Sequence, residues 1–304
     1  MKTAAKAGIN TDLGNNCSRT AFCWAQKTFK NRKGLYGSPT LRVAGSFCNI
    51  MAFGNERIGM TSDGIGTKVE VAERVGKYDS LGFDLVAMVA DDLAANGIEP
   101  VNLSNILDVD VLNLSVVDEL MRGLHDAANF SGIAVTGGEI AELGNRIGGY
   151  GRNMHFNWCS TAIGVLPTGR EPLTGASIRP GDTVIALKSP GYRSNGFSMV
   201  RKVLADQFGA SWHKKRFSDK KSWGEAVLTP SLIFAPLIVS LMKSEAKING
   251  IAHITGGGMP DNLGRILRQN GLGAVLDQIF PPDDFVLELQ ARGKVKEKKA
   301  YHLW

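Results

Sequence analysis

The chain has 304 residues, 43% hydrophobic and 21% charged, with a formal net charge of +6. Its apolar content and modest charge exclude a largely disordered chain, and no apolar run approaches the roughly 20 residues that span a bilayer. The basic excess lies in short runs (Lys27–Lys33, Lys214–Lys221 and Lys294–Lys299) without the interleaved aromatics of a nucleic-acid groove, so neither a nucleic-acid nor a membrane partner is expected.

Residues 1–14 hold no continuous apolar stretch, which predicts no secretory leader and a cytoplasmic location. Cys17, Cys23, Cys48 and Cys159 form no Cys-x-x-Cys pair and find no histidine at zinc spacing, so they read as ordinary thiols. Residues 1–50 read as a loop-bearing lead-in with one helix near Asn15–Phe29. Ile58–Ser62 is a strand candidate ending at Asp63-Gly64-Ile65-Gly66, followed by a helix over Thr67–Val75. Leu81–Asn96 gives the clearest helix. Leu81, Leu85, Met88, Val89 and Leu93 share one face, and Gly97 stands at the C′ position. Val101–Val111 then reads as a strand and Val116–Asn129 as a helix. Gly132–Thr136 is a strand closed by Gly137-Gly138-Glu139, and Cys159–Leu166 is another strand. Pro167, Gly169 and Pro172 mark a boundary, giving domains over 1–167 and 168–304. Beyond it come a strand (Thr183–Leu187) and helices over Phe197–Phe208 and Ser231–Lys243. A strand over Gly250–Thr255 and a helix over Asp261–Arg268 follow. The alternation predicts an α/β or α+β fold.

Three glycine-rich segments carry polar groups: Asp63-Gly64-Ile65-Gly66-Thr67-Lys68, Gly137-Gly138-Glu139 and Thr255-Gly256-Gly257-Gly258. Glycines let backbone N–H groups approach a phosphate, and a following helix N-terminus favours an anion. A turn needing positive φ explains each one equally well. None has the order of a Walker A loop or a dinucleotide fingerprint. The acidic residues give a second signal, because Asp84, Asp91 and Asp92 sit in an otherwise apolar helix. Charges buried there need pairing or a metal. Two readings stand: a solvent-facing acidic pair, or carboxylates holding Mg²⁺ against nucleotide phosphates. Ser194-Asn195-Gly196 reads either as a helix cap or as an amide and hydroxyl facing substrate. His253 reads as a structural strand histidine or as a substrate-side group.

Taken in order, these segments resemble the phosphoribosylformylglycinamidine cyclo-ligase family. The resemblance rests on Ala7-Gly8-Ile9-Asn10 with Asp12 and Gly14-Asn15, on Ser62–Lys68, and on Gly82–Met88 with Asp92-Leu93. It continues through Gly137-Gly138-Glu139 with Ala141-Glu142, Ser194–Ser198 with Val200–Lys202, Leu228-Thr229-Pro230 and His253–Gly258. It implies ATP-dependent closure of formylglycinamidine ribonucleotide to aminoimidazole ribonucleotide in purine biosynthesis, with release of ADP and phosphate. It also implies a two-domain fold. An N-terminal half-barrel dimerises so that strands of both subunits form a barrel, and a C-terminal α/β domain looks truncated here. By the same resemblance Asp63, Gly64, Gly66, Thr67, Lys68, Asp92, Gly137, Gly138 and Glu139 bind ATP. Asp63, Asp92 and Glu139 hold Mg²⁺, Lys68 meets phosphate charge, and Asn195 and His253 act on the substrate side. The implied partners are a small ribonucleotide and a second copy of the chain.

The chain departs from the family pattern at several points. Tyr192-Arg193 replaces Pro-His, Ile140 replaces a threonine, and Gly144-Asn145 replaces Pro-Gly. Gly45-Ser46-Phe47 is poor in glycine, and the sequence stops at Ala300–Trp304 where the family continues into another strand. These departures motivate an alternative, a degenerate or truncated non-catalytic paralogue that binds nucleotide or a partner. Retention of Asp63, Lys68, Asp92, Glu139 and His253 weighs against it. His253–Gly258 together with Ser194–Gly196 favours the cyclo-ligase over three families of the same architecture: thiamine monophosphate kinase, selenophosphate synthetase and the hydrogenase-maturation dehydratase.

Overall fold

A computed structural model describes residues 11–40 and 46–302. Ala7–Asn10, Gly45, Leu303 and Trp304 lie outside the described residues. The first described element, helix α1 (Thr11–Thr28), runs into a 3-10 turn at Phe29–Arg32. The strands are β1 (Ser38–Pro39), β2 (Asn49–Phe53), β3 (Glu56–Gly64), β4 (Glu99–Val109), β5 (Ala134–Glu142) and β6 (Phe156–Val165). They form one sheet in the order β1-β2-β3-β6-β4-β5. The β4–β5 pair is parallel and every other neighbouring pair is antiparallel.

One sheet face is covered by α2 (Val69–Val75), α3 (Leu81–Ala95) and α4 (Leu114–Ser131). Helix α3 is buried on nearly every side. It lies on β3 and β6 and is backed by α4 and by α7 (Ala235–Lys243). A helix apolar all round belongs inside a core, which is why its charged residues are informative. Its contact with α4 requires glycine on both helices, since a Cβ at Gly82 would stand 2.1 Å from the backbone carbon of Gly123. Asn113 caps α4 by accepting from the N–H groups of Ser115 and Val116.

Among the described residues no helix lies on the opposite sheet face. Met60 and Ile163 are each 37% exposed there and Ile106 is 51% exposed. The later half of the chain contributes α5 (Phe197–Phe208), α6 (Trp223–Val227) and α7, then α8 (Gly258–Arg268), α9 (Asp284–Arg292) and α10 (Glu297–Ala300). The architecture is a mixed α/β fold.

The observed elements differ from the sequence pattern in four places. Gly137-Gly138-Glu139 does not close a strand but lies inside β5. Pairing with β4 continues through Glu142 past a register shift at Leu103/Ser104. Residues 183–187 and 250–255 form no strand. A strand requires a neighbour for its N–H and C=O groups, and neither segment pairs with one among the described residues. The helix expected from Ser231 begins at Ala235, with a proline in its first turn, where Asp91 Oδ1 accepts the otherwise unpaired N–H groups of Phe234 and Ala235.

A half-buried cluster fastens the loop between β5 and β6. His155 Nδ1 lies 2.6 Å from Asp110 Oδ2, and Glu73 Oε2 accepts from the Tyr150 N–H at 2.7 Å. Burial opposes protonation of His155, but the Asp110 hydrogen bond and the Glu73 charge prevail and raise its pKa. Stability from a raised histidine is complete below the unfolded value near pH ~6.5 and is lost as pH rises through the folded value. The melting temperature should therefore fall above pH ~6.5, and His155→Gln should flatten that slope in a calorimetric pH series. Glu73, raised first by burial, loses its contribution in the same direction, but from about pH 4.3. Glu73 and Asp110 both feel His155, so the variant also alters their titration.

Candidate functional site

Three segments converge where β3 ends. Asp63-Gly64 terminates β3 and turns through Gly66 (φ +65°) toward α2. Residues 193–196 lead into α5, and residues 253–258 lead into α8. Gly196 and Gly257 stand at the helix entrances with φ of +79° and +94°, where no side chain caps the first turn. In α5 the N–H groups of Phe197 and Ser198 are suited to anionic oxygen, whereas in α8 the Gly258 N–H is taken by the Thr255 carbonyl and Pro260 has none, which leaves Met259. Asn262 Nδ2 donates to the carbonyls of Thr255, Gly256 and Gly258, which fixes the second loop. The loops also touch one another. Thr67 Oγ1 lies 3.4 Å from Ser198 Oγ, and a Cβ at Gly256 would stand 3.2 Å from Asn195 Oδ1. Asn195 Nδ2 and Ser194 Oγ are buried without a hydrogen-bond partner among the described residues. Buried polar atoms left unpaired by the fold are the ones a ligand can satisfy.

The three aspartates of α3 go to three different places. Asp84 Oδ1 accepts from Lys68 Nζ at 2.8 Å and from Ser231 Oγ at 2.5 Å. Asp91 Oδ2 accepts from Arg193 at 2.7 Å, while its Oδ1 takes the N–H groups of Phe234 and Ala235. Asp92 Oδ1 lies 2.7 Å from His253 Nδ1. The solvent-facing alternative for the acidic pair is therefore excluded, since each carboxylate is engaged inside the protein. Asp63 completes the group. Burial raises its pKa most, its own Gly64 N–H opposes this, Asp92 repulsion adds to the rise, and His253 moderates it.

Lys68 and Glu139 do not sit where the resemblance puts them. Lys68 is fully buried, and its ammonium is held by Asp84 and by the Thr229 carbonyl at 2.7 Å. It pins the first loop to α3 and to residue 229, and in this arrangement it cannot meet a phosphate. Glu139 shares a sheet row with Ile106, Cys159 and Gly64. Three strand spacings separate it from β3, about 14 Å at ~4.8 Å per strand. Gly137 and Gly138 lie beside it on β5. Gly138 faces Asn105, whose amide oxygen accepts from Trp158 Nε1 at 2.9 Å, so a side chain there would collide with Asn105. Among the described residues no three His, Cys, Asp or Glu side chains are grouped closely enough to hold a metal. Asp63 and Asp92 remain as a carboxylate pair.

Two contributors were missed in the sequence. Arg193 was noted only as a departure, although it ties Asp91 to His253. Asn96, at the C-terminus of α3, accepts from Ser46 Oγ, Phe47 N and Cys48 N and donates to the Leu173 carbonyl. It thereby anchors the segment leading into β2. An asparagine directly before the C′ glycine was the available signal for it.

Residues 45–166 match the family model "AIR synthase related protein, N-terminal domain", and residues 179–290 match its C-terminal counterpart. The chain is 38% identical over 259 residues to phosphoribosylformylglycinamidine cyclo-ligase of Thermococcus kodakarensis, covering 85% of this chain and 74% of the relative. It is likewise 38% identical over 266 residues to the enzyme of that name from Pyrococcus furiosus, covering 88% and 75%. Among solved structures, AaThiL complexed with AMPPCP and TMP aligns with a TM-score of 0.57 at 16% identity, covering 87% of this chain and 77% of that one. That level of identity supports the fold alone.

Proposed function

The chain belongs to the AIR synthase related family, and from that premise we propose that it is an ATP-dependent cyclo-ligase that closes formylglycinamidine ribonucleotide to aminoimidazole ribonucleotide. The observation that carries this reading is the meeting of Asp63, Asp92 and His253 with two uncapped helix entrances and the unpaired amide of Asn195. The reaction needs anions positioned and charge neutralised more than it needs a covalent nucleophile, and this set of groups matches that need.

Asn195 Nδ2 donates a hydrogen bond to substrate oxygen. The N–H groups of Phe197 and Ser198 at the start of α5, with that of Met259 in α8, receive phosphate oxygens. Asp92 keeps the His253 ring fixed through Nδ1. A bound Mg²⁺ would supply charge neutralisation to the nucleotide. Asp63 and Asp92 are the residues that would hold it, because their mutual repulsion favours a cation between them and their oxygens suit a hard ion. Two carboxylates with phosphates complete such a site, so the distance of Glu139 is no obstacle.

The domain division near residue 167 belongs to the same proposal, with the nucleotide held mainly by the first part. So do a cytoplasmic location and a homodimer formed over the uncovered sheet face around Met60, Ile106 and Ile163. No helix among the described residues is long and apolar enough to cross a membrane.

The test is direct. Purified protein, formylglycinamidine ribonucleotide and MgATP are incubated together, and product mass is followed beside ADP release. Matched amounts of imidazole product and ADP are expected. Neither product, from protein with a cooperative melt, would overturn the reading in favour of a non-catalytic paralogue.

A further inference from the structure

Arg193 stands where the family pattern has histidine, and its backbone is in the left-handed region at φ +53°. A non-glycine residue pays strain for that conformation, and strain persists where the surroundings impose it. Here the surroundings are specific. The guanidinium donates to Asp91 Oδ2 at 2.7 Å and to the Leu232 carbonyl at 3.0 Å. The same Nη2 lies 3.1 Å from His253 Nε2. Arg193 is 7% exposed and His253 is 7% exposed.

A guanidinium has five N–H donors and no acceptor. The nitrogen facing it on His253 must therefore present a lone pair. The other nitrogen, Nδ1, faces the Asp92 carboxylate at 2.7 Å, which accepts its N–H. Both ring nitrogens are thus assigned by their partners, and the ring is the neutral Nδ1–H tautomer. The adjacent residues Asp91 and Asp92 on α3 each hold one member of the pair.

We propose that Arg193 is a positioning residue that fixes the tautomer and orientation of His253, and that it is not a ligand for substrate phosphate. The inference rests on the cyclo-ligase reading for its effect on turnover, while its effect on the ring is independent of that reading. Arginine serves here because its planar fork reaches Asp91, the Leu232 carbonyl and His253 together. A lysine carries the charge but a single ammonium, and cannot hold all three.

The test compares wild type with Arg193→Lys, which keeps a positive charge beside Asp91, and with Arg193→His, which restores the family's usual residue. Nitrogen NMR of protein labelled on histidine reads the His253 tautomer at one fixed pH, assigned with His253→Gln. Wild type should show a protonated Nδ1 and an unprotonated Nε2. Arg193→Lys should show a mixture of tautomers and a kcat about 10- to 100-fold lower, as for loss of an orienting partner. Its KM for the ribonucleotide should change less than about threefold, because uniform substrate binding is untouched. Arg193→His, also lacking the fork, should share the tautomer mixture. A wild-type His253 in the Nε2–H form would overturn the proposal. So would unchanged tautomer in Arg193→Lys, or a loss seen only as a raised KM for the phosphorylated substrate. If wild type makes no product, the cyclo-ligase reading fails, and the NMR comparison still decides the positioning role. Should Arg193→Lys fail to fold, the tautomers of wild type and Arg193→His carry the test.

Discussion

Lys68→Met is expected to destabilise the protein by about 3–5 kcal/mol, the cost of removing one partner from a buried ion pair. Lys68 and Asp84 are both wholly inaccessible, 2.8 Å apart. Burial pushes the Lys68 pKa down, Asp84 opposes it, and the Arg193 charge adds to the fall. The lysine also donates to the Thr229 carbonyl, and its ammonium lies 5.5 Å from the Phe197 ring centroid. Methionine fills similar volume but leaves the Asp84 carboxylate with only Ser231 as donor. The double variant Lys68→Met/Asp84→Leu removes the stranded charge and should recover a large part of the loss, since apolar replacement of a whole buried pair is often near neutral. Urea midpoints of wild type, single and double variants measure this. An unchanged midpoint in Lys68→Met with a raised KM for ATP would return Lys68 to the phosphate role that the resemblance implied.

The same pair illustrates what could be read from the sequence. The helix over Phe197–Phe208 was legible to the residue, and α3 to within one residue, because a 3.6-residue apolar period is a local signal. The apolar neighbours of the α3 charges left two readings open, a solvent-facing pair and engaged carboxylates, and the structure takes the second. The identity of the partners was not legible. Asp91 meets a residue 102 positions away and Asp92 one 161 positions away, and no local pattern encodes such a meeting. The glycine pair at 137–138 failed for a different reason. Glycine pairs mark turns in most contexts, but here the Asn105 side chain occupies the space and a strand neighbour carries the backbone. Residues 183–187 and 250–255 have strand composition, yet composition cannot supply a pairing partner.

Motif resemblance located Asp63, Asp92, Asn195 and His253 in one region, and those residues do converge. It also grouped Lys68 and Glu139 with them, because it carries sequence order and not direction. In a strand, one residue of slip reverses the face. In α3, successive residues turn by about 100°, so Asp91 and Asp92 serve different neighbours. Arg193 departs from the family pattern and yet completes the geometry, and a substitution seen alone does not reveal what it touches.

The largest effect on activity is expected from Asp92→Asn, a fall in kcat of about 10²–10³-fold. Asp92 is the carboxylate that holds His253 Nδ1 and is also the neighbour whose charge raises Asp63. Asparagine preserves shape but removes the charge. Its carbonyl can still accept from Nδ1, so the ring should stay near its place and the protein should stay folded. What is lost is the negative charge available to a hard cation, so the Mg²⁺ concentration needed for half-maximal rate should rise. Asp63 should then titrate lower, closer to an ordinary carboxylate, because one cause of its rise is gone. Any acidic limb of the rate profile that belongs to Asp63 should move down in pH accordingly. Asp91→Asn is the contrasting variant, weakening the Arg193 pair and acting on stability before activity. Steady-state rates over a Mg²⁺ series at several pH values separate the two. A kcat for Asp92→Asn within threefold of wild type, with unchanged Mg²⁺ dependence, would remove Asp92 from the reacting site and leave His253 with a purely structural carboxylate.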